Sequence, residues 1–154
     1  MNSACQANLP TCRTEHDEGD MRVVYDDATG QPIRPGSHVI GNPTIGRGRL
    51  LCSPGGITPA EDDLLFSNDM ARARKLAATL TVFPQLDAVR QGVLVEMVFQ
   101  MGLAGVATFH TMLAAMGRGD WKTSATAMRD SLWARQTPAR AQKLANIIET
   151  GIAA

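Results

Sequence analysis

The chain has 154 residues, of which 44% are hydrophobic and 19% charged. That balance supports one good core and excludes a disordered or fibrous polymer. Aromatic residues make up only 5%, so aliphatic side chains and the eight methionines must fill the core. The formal net charge of zero hides an asymmetry: residues 1–69 carry five Lys and Arg against ten Asp and Glu, and residues 70–154 carry ten against five. An acidic half beside a basic half lacks the single broad positive face that duplex DNA favours, so no nucleic-acid partner is expected. Such a pairing suits a groove for an anionic polymer, or two lobes that attract each other.

In chain order, the first ten residues, MNSACQANLP, contain neither a basic n-region nor an apolar h-region, so no signal peptide is expected. Cys5, Cys12 and Cys52 are an odd number without CxxC spacing. That indicates neither a disulfide framework nor a zinc site, and leaves a Cys5–Cys12 bridge open only in an oxidising compartment. Residues 8–18 read as a short helix closed by Gly19, which leaves Glu18 at its end. From Arg22 to Cys52, the apolar residues Val23, Val24, Tyr25, Val39, Ile40, Ile45 and Leu50 are punctuated by TG, RPG, GNP and GRG. This pattern predicts a small antiparallel sheet with tight turns.

Thr58-Pro59-Ala60-Glu61 combines an N-cap hydroxyl, Pro at the first helical position and Glu at the third. These signals start a helix that apolar residues can extend to about residue 80, a length of about 30 Å. Beyond Phe83-Pro84, helices are expected over Leu86 to Met101 closed by Gly102, Thr108 to Met116 closed by Gly117, Asp120 to about Arg129, and Pro138 to Thr150 closed by Gly151. The most apolar window, Gly92 to Phe109, holds Glu96, Gln100 and three glycines. It therefore reads as a buried core helix, and the chain as soluble with no membrane anchor.

The chemistry-bearing residues lie in the first third. Glu18 at a helix end and Asp27 in the following strand can face one cleft, the arrangement that glycoside hydrolysis requires. One carboxyl donates a proton to the leaving oxygen and the other directs water. By strand and helix geometry, Asp17 and Asp26 should point away from that cleft toward solvent. A metal site built on the four carboxylates lacks EF-hand spacing, and no metal or cofactor is expected. Trp121 and Trp133 read as core.

The blocks DEG at 17–19, YDDATG at 25–30, NPTIGRGRLL at 42–51, ITPAEDDLLFSND at 57–69, MVFQMG at 97–102 and QTPARA at 136–141 together resemble the phage-type lysozymes, glycoside hydrolase family 24. The resemblance runs from about Leu9 to Gly151, with every block in the family's order. It implies an α+β, lysozyme-like fold: a small antiparallel β lobe and a larger helical lobe, joined by a long helix, with a cleft between them. Residues 1–154 then form one domain, with residues 20–57 as the β-rich lobe, 1–19 and 80–154 as the helical lobe and 58–80 as the connecting helix.

The activity the resemblance implies is hydrolysis of the β-1,4 bond between N-acetylmuramic acid and N-acetylglucosamine in peptidoglycan, with inversion. Glu18 is then the general acid, Asp27 the group that activates water and supports oxocarbenium charge, and Thr44 the group that orients the water. Phe99 and Gln100 would line the cleft, and Arg140 would sit near Glu18. Three departures from the T-even phage member of the family stand out. The hairpin over residues 31–42 is longer, Arg49 replaces a histidine, and Met112 and Ala127 replace polar residues. The partner implied is the peptidoglycan glycan strand, acted on by a monomer held in the host cytoplasm until lysis admits it to the wall. A non-catalytic murein-binding or phage tail module, a lytic transglycosylase and a delivered toxin remain as alternatives.

Overall fold

The computed structural model describes residues 21–52 and 54–153. The expected helix over residues 8–18, with Cys5, Cys12 and Glu18, lies outside them. The chain divides into two compact units, Met1–Asp62 and Asp63–Ala154. The described part is α+β and dominated by helix, with one three-stranded antiparallel sheet.

In the first unit, β1 (Met21–Asp26), β2 (Pro43–Gly46) and β3 (Arg49–Leu50) lie in the order β1-β2-β3. Tyr25 stands opposite Thr44 and Asp26 opposite Pro43, and the register slips between Met21 and Tyr25. The β2–β3 turn is possible because Gly46 and Gly48 both take positive φ, 65° and 84°. The long segment between β1 and β2 folds back on β1: the Ile33 amide donates to the Val24 carbonyl at 2.8 Å and the Asp26 amide to the Gln31 carbonyl at 3.0 Å.

Helix α1 (Pro59–Ala77) starts where the capping signals place it. The Thr58 amide donates to Glu61 Oε2 at 2.7 Å, and the Glu61 amide to Thr58 Oγ1 at 3.3 Å. Glu61 is also ion-paired to Arg49, whose second nitrogen donates to the Gly56 carbonyl at 2.8 Å. Arg49 thus ties β3 to the first turn of α1.

The second unit continues through a short 3₁₀ turn (Phe83–Gln85) into α2 (Ala88–Ala107), α3 (His110–Gly117), α4 (Trp121–Arg129), α5 (Leu132–Gln136) and α6 (Pro138–Thr150). Its core is filled by Leu94, Met97, Val106, Met112, Met116, Met128, Leu144 and Ile148, the methionine-rich solution that scarce aromatics require. Arg90 stacks on Trp121, 4.0 Å from the ring centroid, and donates to the Ile148 carbonyl at 2.8 Å, so one cation fastens α2 to α4 and α6. Asp120 caps α4 by accepting the Thr123 amide at 3.0 Å, and Gly151 ends α6 with φ 71°. No single helix is long and apolar enough to cross a membrane; α2 and α3 meet the length and composition only as a pair bent by 99°.

Three points differ from expectation. Helix α2, expected to close at Gly102, runs on through a break there to Ala107. Thr108 ends the helix before it, because its hydroxyl donates to the Gly105 carbonyl at 2.7 Å, and α3 starts at His110. Helix α5 is not foreseen because five residues are too few to show a helical period; Ser131 starts it by accepting the Ala134 amide at 3.0 Å.

Gly102 interrupts α2 with φ 74° and ψ 164°, a conformation essentially restricted to glycine. No other group approaches the position where a Cβ would stand. Gly102→Ala should therefore destabilise the protein by backbone strain alone, about 1–3 kcal/mol. Chemical denaturation checks this, and an unchanged midpoint would refute it.

Candidate active site

Two adjacent carboxylates at the end of β1 face opposite ways, as successive strand residues must. The expected assignment is reversed in one respect: Asp26, expected to face solvent, is 4% exposed, and Asp27 is the exposed member. The reason is the long segment after β1. Its returning backbone presents unpaired amides, and Asp26 accepts them: Ile40 at 2.7 Å, Gly41 at 2.9 Å, and Ala28 within the turn at 3.0 Å. These bonds, the one from Ile40 first, hold the Asp26 carboxyl below the usual carboxylate range.

Asp27 is gripped by Asn42 across the strand pair. The Asn42 amide donates to Asp27 Oδ1 at 2.7 Å, its side-chain Nδ2 donates to Oδ2 at 3.1 Å, and the Asp27 amide donates to the Asn42 carbonyl at 3.1 Å. The two bonds from Asn42 lower the Asp27 pKa, against the opposing push of desolvation and of the Asp26 charge. Asp27 is therefore an ionised acceptor at neutral pH. It can receive a proton from water or stabilise a cation, and it is unsuited to donating a proton.

Thr44 sits opposite Tyr25 and is 3% exposed. Its hydroxyl donates to the Asn42 carbonyl at 3.2 Å, the same oxygen that receives the Asp27 amide. The structure thus brings Asp27 and Thr44 together through Asn42, which the sequence marks as a turn and motif residue but not as a site residue. Glu18 lies outside the described residues.

The remaining expected residues belong to the helical unit. Phe99 is 42% exposed and meets Phe66 edge-on at 5.6 Å, so it is not a core residue. Gln100 Oε1 accepts the Trp133 indole N–H at 3.1 Å, which fixes the side-chain amide and gives the buried Trp133 its partner. Arg140 lies 3.8 Å from Glu96, one turn before Gln100 on α2. Met112 and Ala127 line a recess of about 670 Å³ with Met101, Phe109, Leu132 and Trp133. His110 and Asp130 lie on its lining. Among the described residues no cluster of three or more His, Cys, Asp or Glu could hold a metal ion, and Cys52 is an exposed free thiol.

Because its folded pKa lies below the ordinary 3.8, Asp26 stabilises the fold above that value, and this stability is lost as pH falls through the folded pKa. Asp26→Asn should be less stable than the parent at pH 7 and lose less on acidification to pH 3. Urea titrations at both pH values check this; parallel losses would refute it.

No family model matches the chain. It is 39% identical over 153 aligned residues to the pre-baseplate central spike protein Gp5 of Enterobacteria phage T4, an alignment that covers 88% of this chain and 26% of that protein. It is also 35% and 31% identical to two probable T4-type lysozymes of Dictyostelium discoideum, each over 62% of this chain and 58% of the relative. The chain therefore spans about a quarter of the spike protein and under two thirds of each amoebal protein. The chain is thus similar to proteins named as T4-type lysozymes and, over most of its own length, to one region of a phage spike protein.

Proposed function

We propose that the chain is a muramidase, a glycoside hydrolase that cuts the β-1,4 bond between N-acetylmuramic acid and N-acetylglucosamine in peptidoglycan. The observation that carries this reading is the Asp27–Asn42–Thr44 arrangement, an ionised carboxylate and a hydroxyl joined on one hydrogen-bonded frame. In this mechanism Glu18 protonates the leaving glycosidic oxygen as the bond to the anomeric carbon breaks. Asp27 takes a proton from the attacking water, Thr44 orients that water, and the product carries the inverted configuration. Phe99 and Gln100 form part of the sugar-binding wall, and Arg140 contributes a cation there. The reaction uses no cofactor, and the enzyme works as a monomer.

The biological setting we propose is lysis of a bacterial host, with the enzyme retained in the cytoplasm until it reaches the wall. A second setting is favoured by a specific observation: the alignment with the phage spike protein takes in nearly the whole of this chain. In that setting the same fold works as a module of a phage particle, acting on murein from outside the cell.

Purified peptidoglycan provides the test. The parent protein should release reducing ends, and Glu18→Gln should lower that rate by about 10²–10⁴, the usual contribution of a general acid. Asp27→Asn should also be severely impaired. Undiminished release by Glu18→Gln would remove Glu18 from the mechanism. NMR of the first-formed anomer reads the stereochemistry, anhydro-muramic products would assign a lytic transglycosylase, and binding without product would assign a murein-binding module.

A further inference from the structure

We propose that Asn42 is a positioning residue for this reaction: it holds the Asp27 carboxylate and the Thr44 hydroxyl in one fixed relation. The inference rests on the roles given above to Asp27 and Thr44. Asn42 makes one bond to each Asp27 oxygen, and its carbonyl receives both the Asp27 amide and the Thr44 hydroxyl. A carboxylate has about four acceptor positions, so two occupied by Asn42 leave two for water. With both oxygens held, the free positions point in defined directions, and an attacking water meets one geometry rather than a rotating group.

Other features of the unit serve the same contact. The Cys52 thiol lies 3.8 Å from Asn42 Oδ1 and donates to it, which turns the side-chain Nδ2 toward Asp27. Gly41 passes so close to the turn after β1 that a Cβ there would stand 2.8 Å from the Ala28 nitrogen and would also collide with the Asp27 carboxylate. A side chain at position 41 would therefore lift Asn42 off its partner. Asp26 anchors the Ile40 and Gly41 amides immediately before Asn42. The long segment over residues 31–42 thus delivers its last residue to the site. Among the described residues, the titratable groups close to this contact include Asp26, beside Asp27 in the chain, and Cys52, behind Asn42.

The experiment uses the full chain with Asn42→Ala and with Asn42→Asp, which keeps the shape but places an anion against Asp27. Asn42 is exposed, so both variants should fold, and circular dichroism checks that they do. Two readouts are followed: the Asp27 carboxyl titration by ¹³C NMR, and the acid limb of kcat/KM on soluble peptidoglycan fragments. Both should move to higher pH in Asn42→Ala and further in Asn42→Asp. At its optimum Asn42→Ala should lose about tenfold in kcat with KM little changed, as expected for losing one hydrogen bond to a charged group. In an Asp27→Asn background, Asn42→Ala should cost nothing further. An Asp27 titration and acid limb unmoved by both variants would overturn the proposal, as would a rate loss that persists in the Asp27→Asn background. Full turnover by Asp27→Asn alone would instead remove the role of Asp27, and the proposal with it, even if the NMR titration still showed Asn42 holding the carboxylate.

Discussion

The β unit depends on one constraint: two anions adjacent in the chain must point to opposite sides of a strand, and each needs donors of its own. Asp26 and Asp27 meet it by dividing the returning segment between them. The buried carboxylate takes the backbone amides of Ile40 and Gly41, and the exposed one takes both donors of Asn42. Each interaction makes the other possible. Fixing residues 40 and 41 sets the direction in which residue 42 leaves, and Asn42 then closes on Asp27 through bonds to both oxygens. The segment over residues 31–42 can easily be read as a loop at the margin. Here its far end is the frame of the candidate site.

The helical unit solves a different problem. With few aromatics, it fills its interior with methionine and small aliphatic side chains, which adapt to irregular gaps but specify geometry weakly. Specificity then comes from a few directional contacts. The Arg90 guanidinium joins three helices through Trp121 and the Ile148 carbonyl, and its position beside Gly151 leaves no space there for a side chain. Trp133 donates to Gln100, which fixes an amide that would otherwise rotate freely on the surface of α2. The break at Gly102 lets the chain resume as a separate turn before α3. Apolar residues at positions 112 and 127 make the neighbouring recess more hydrophobic than polar residues would.

Similarity to T4-type lysozymes suggests a chemistry but not a setting. One relative is a phage spike protein about four times as long as the aligned region, and others are amoebal proteins of more modest excess length. A compact hydrolytic module can be used alone or built into a larger machine, because the reaction asks only for a carboxyl pair and a groove. In this chain the ionised member of the proposed pair is explained by local hydrogen bonds within 16 residues of sequence. That side of the site is therefore largely independent of what else is attached to the chain.

How much of this could be read from the chain itself follows from the range of each interaction. Signals that act within a few residues were legible: the Thr58–Glu61 box, the Asp120 cap, the glycines at 102 and 151, and the turn glycines at 46 and 48 all act locally, and the structure uses them as such. Composition alone implied the methionine core. The motif blocks pointed to the T4-type lysozymes and nominated Asp27 and Thr44, because their order along the chain survives without any knowledge of contacts. What strand alternation could not decide was which of Asp26 and Asp27 turns inward, since alternation fixes opposite directions without naming the inner face. That choice belongs to the segment 14–15 residues away, whose amides select Asp26 and whose asparagine selects Asp27. The pairing of Gln100 with Trp133 across 33 residues and of Arg49 with Glu61 was equally invisible, because side-chain partners distant in sequence exist only once the backbone has brought them into reach.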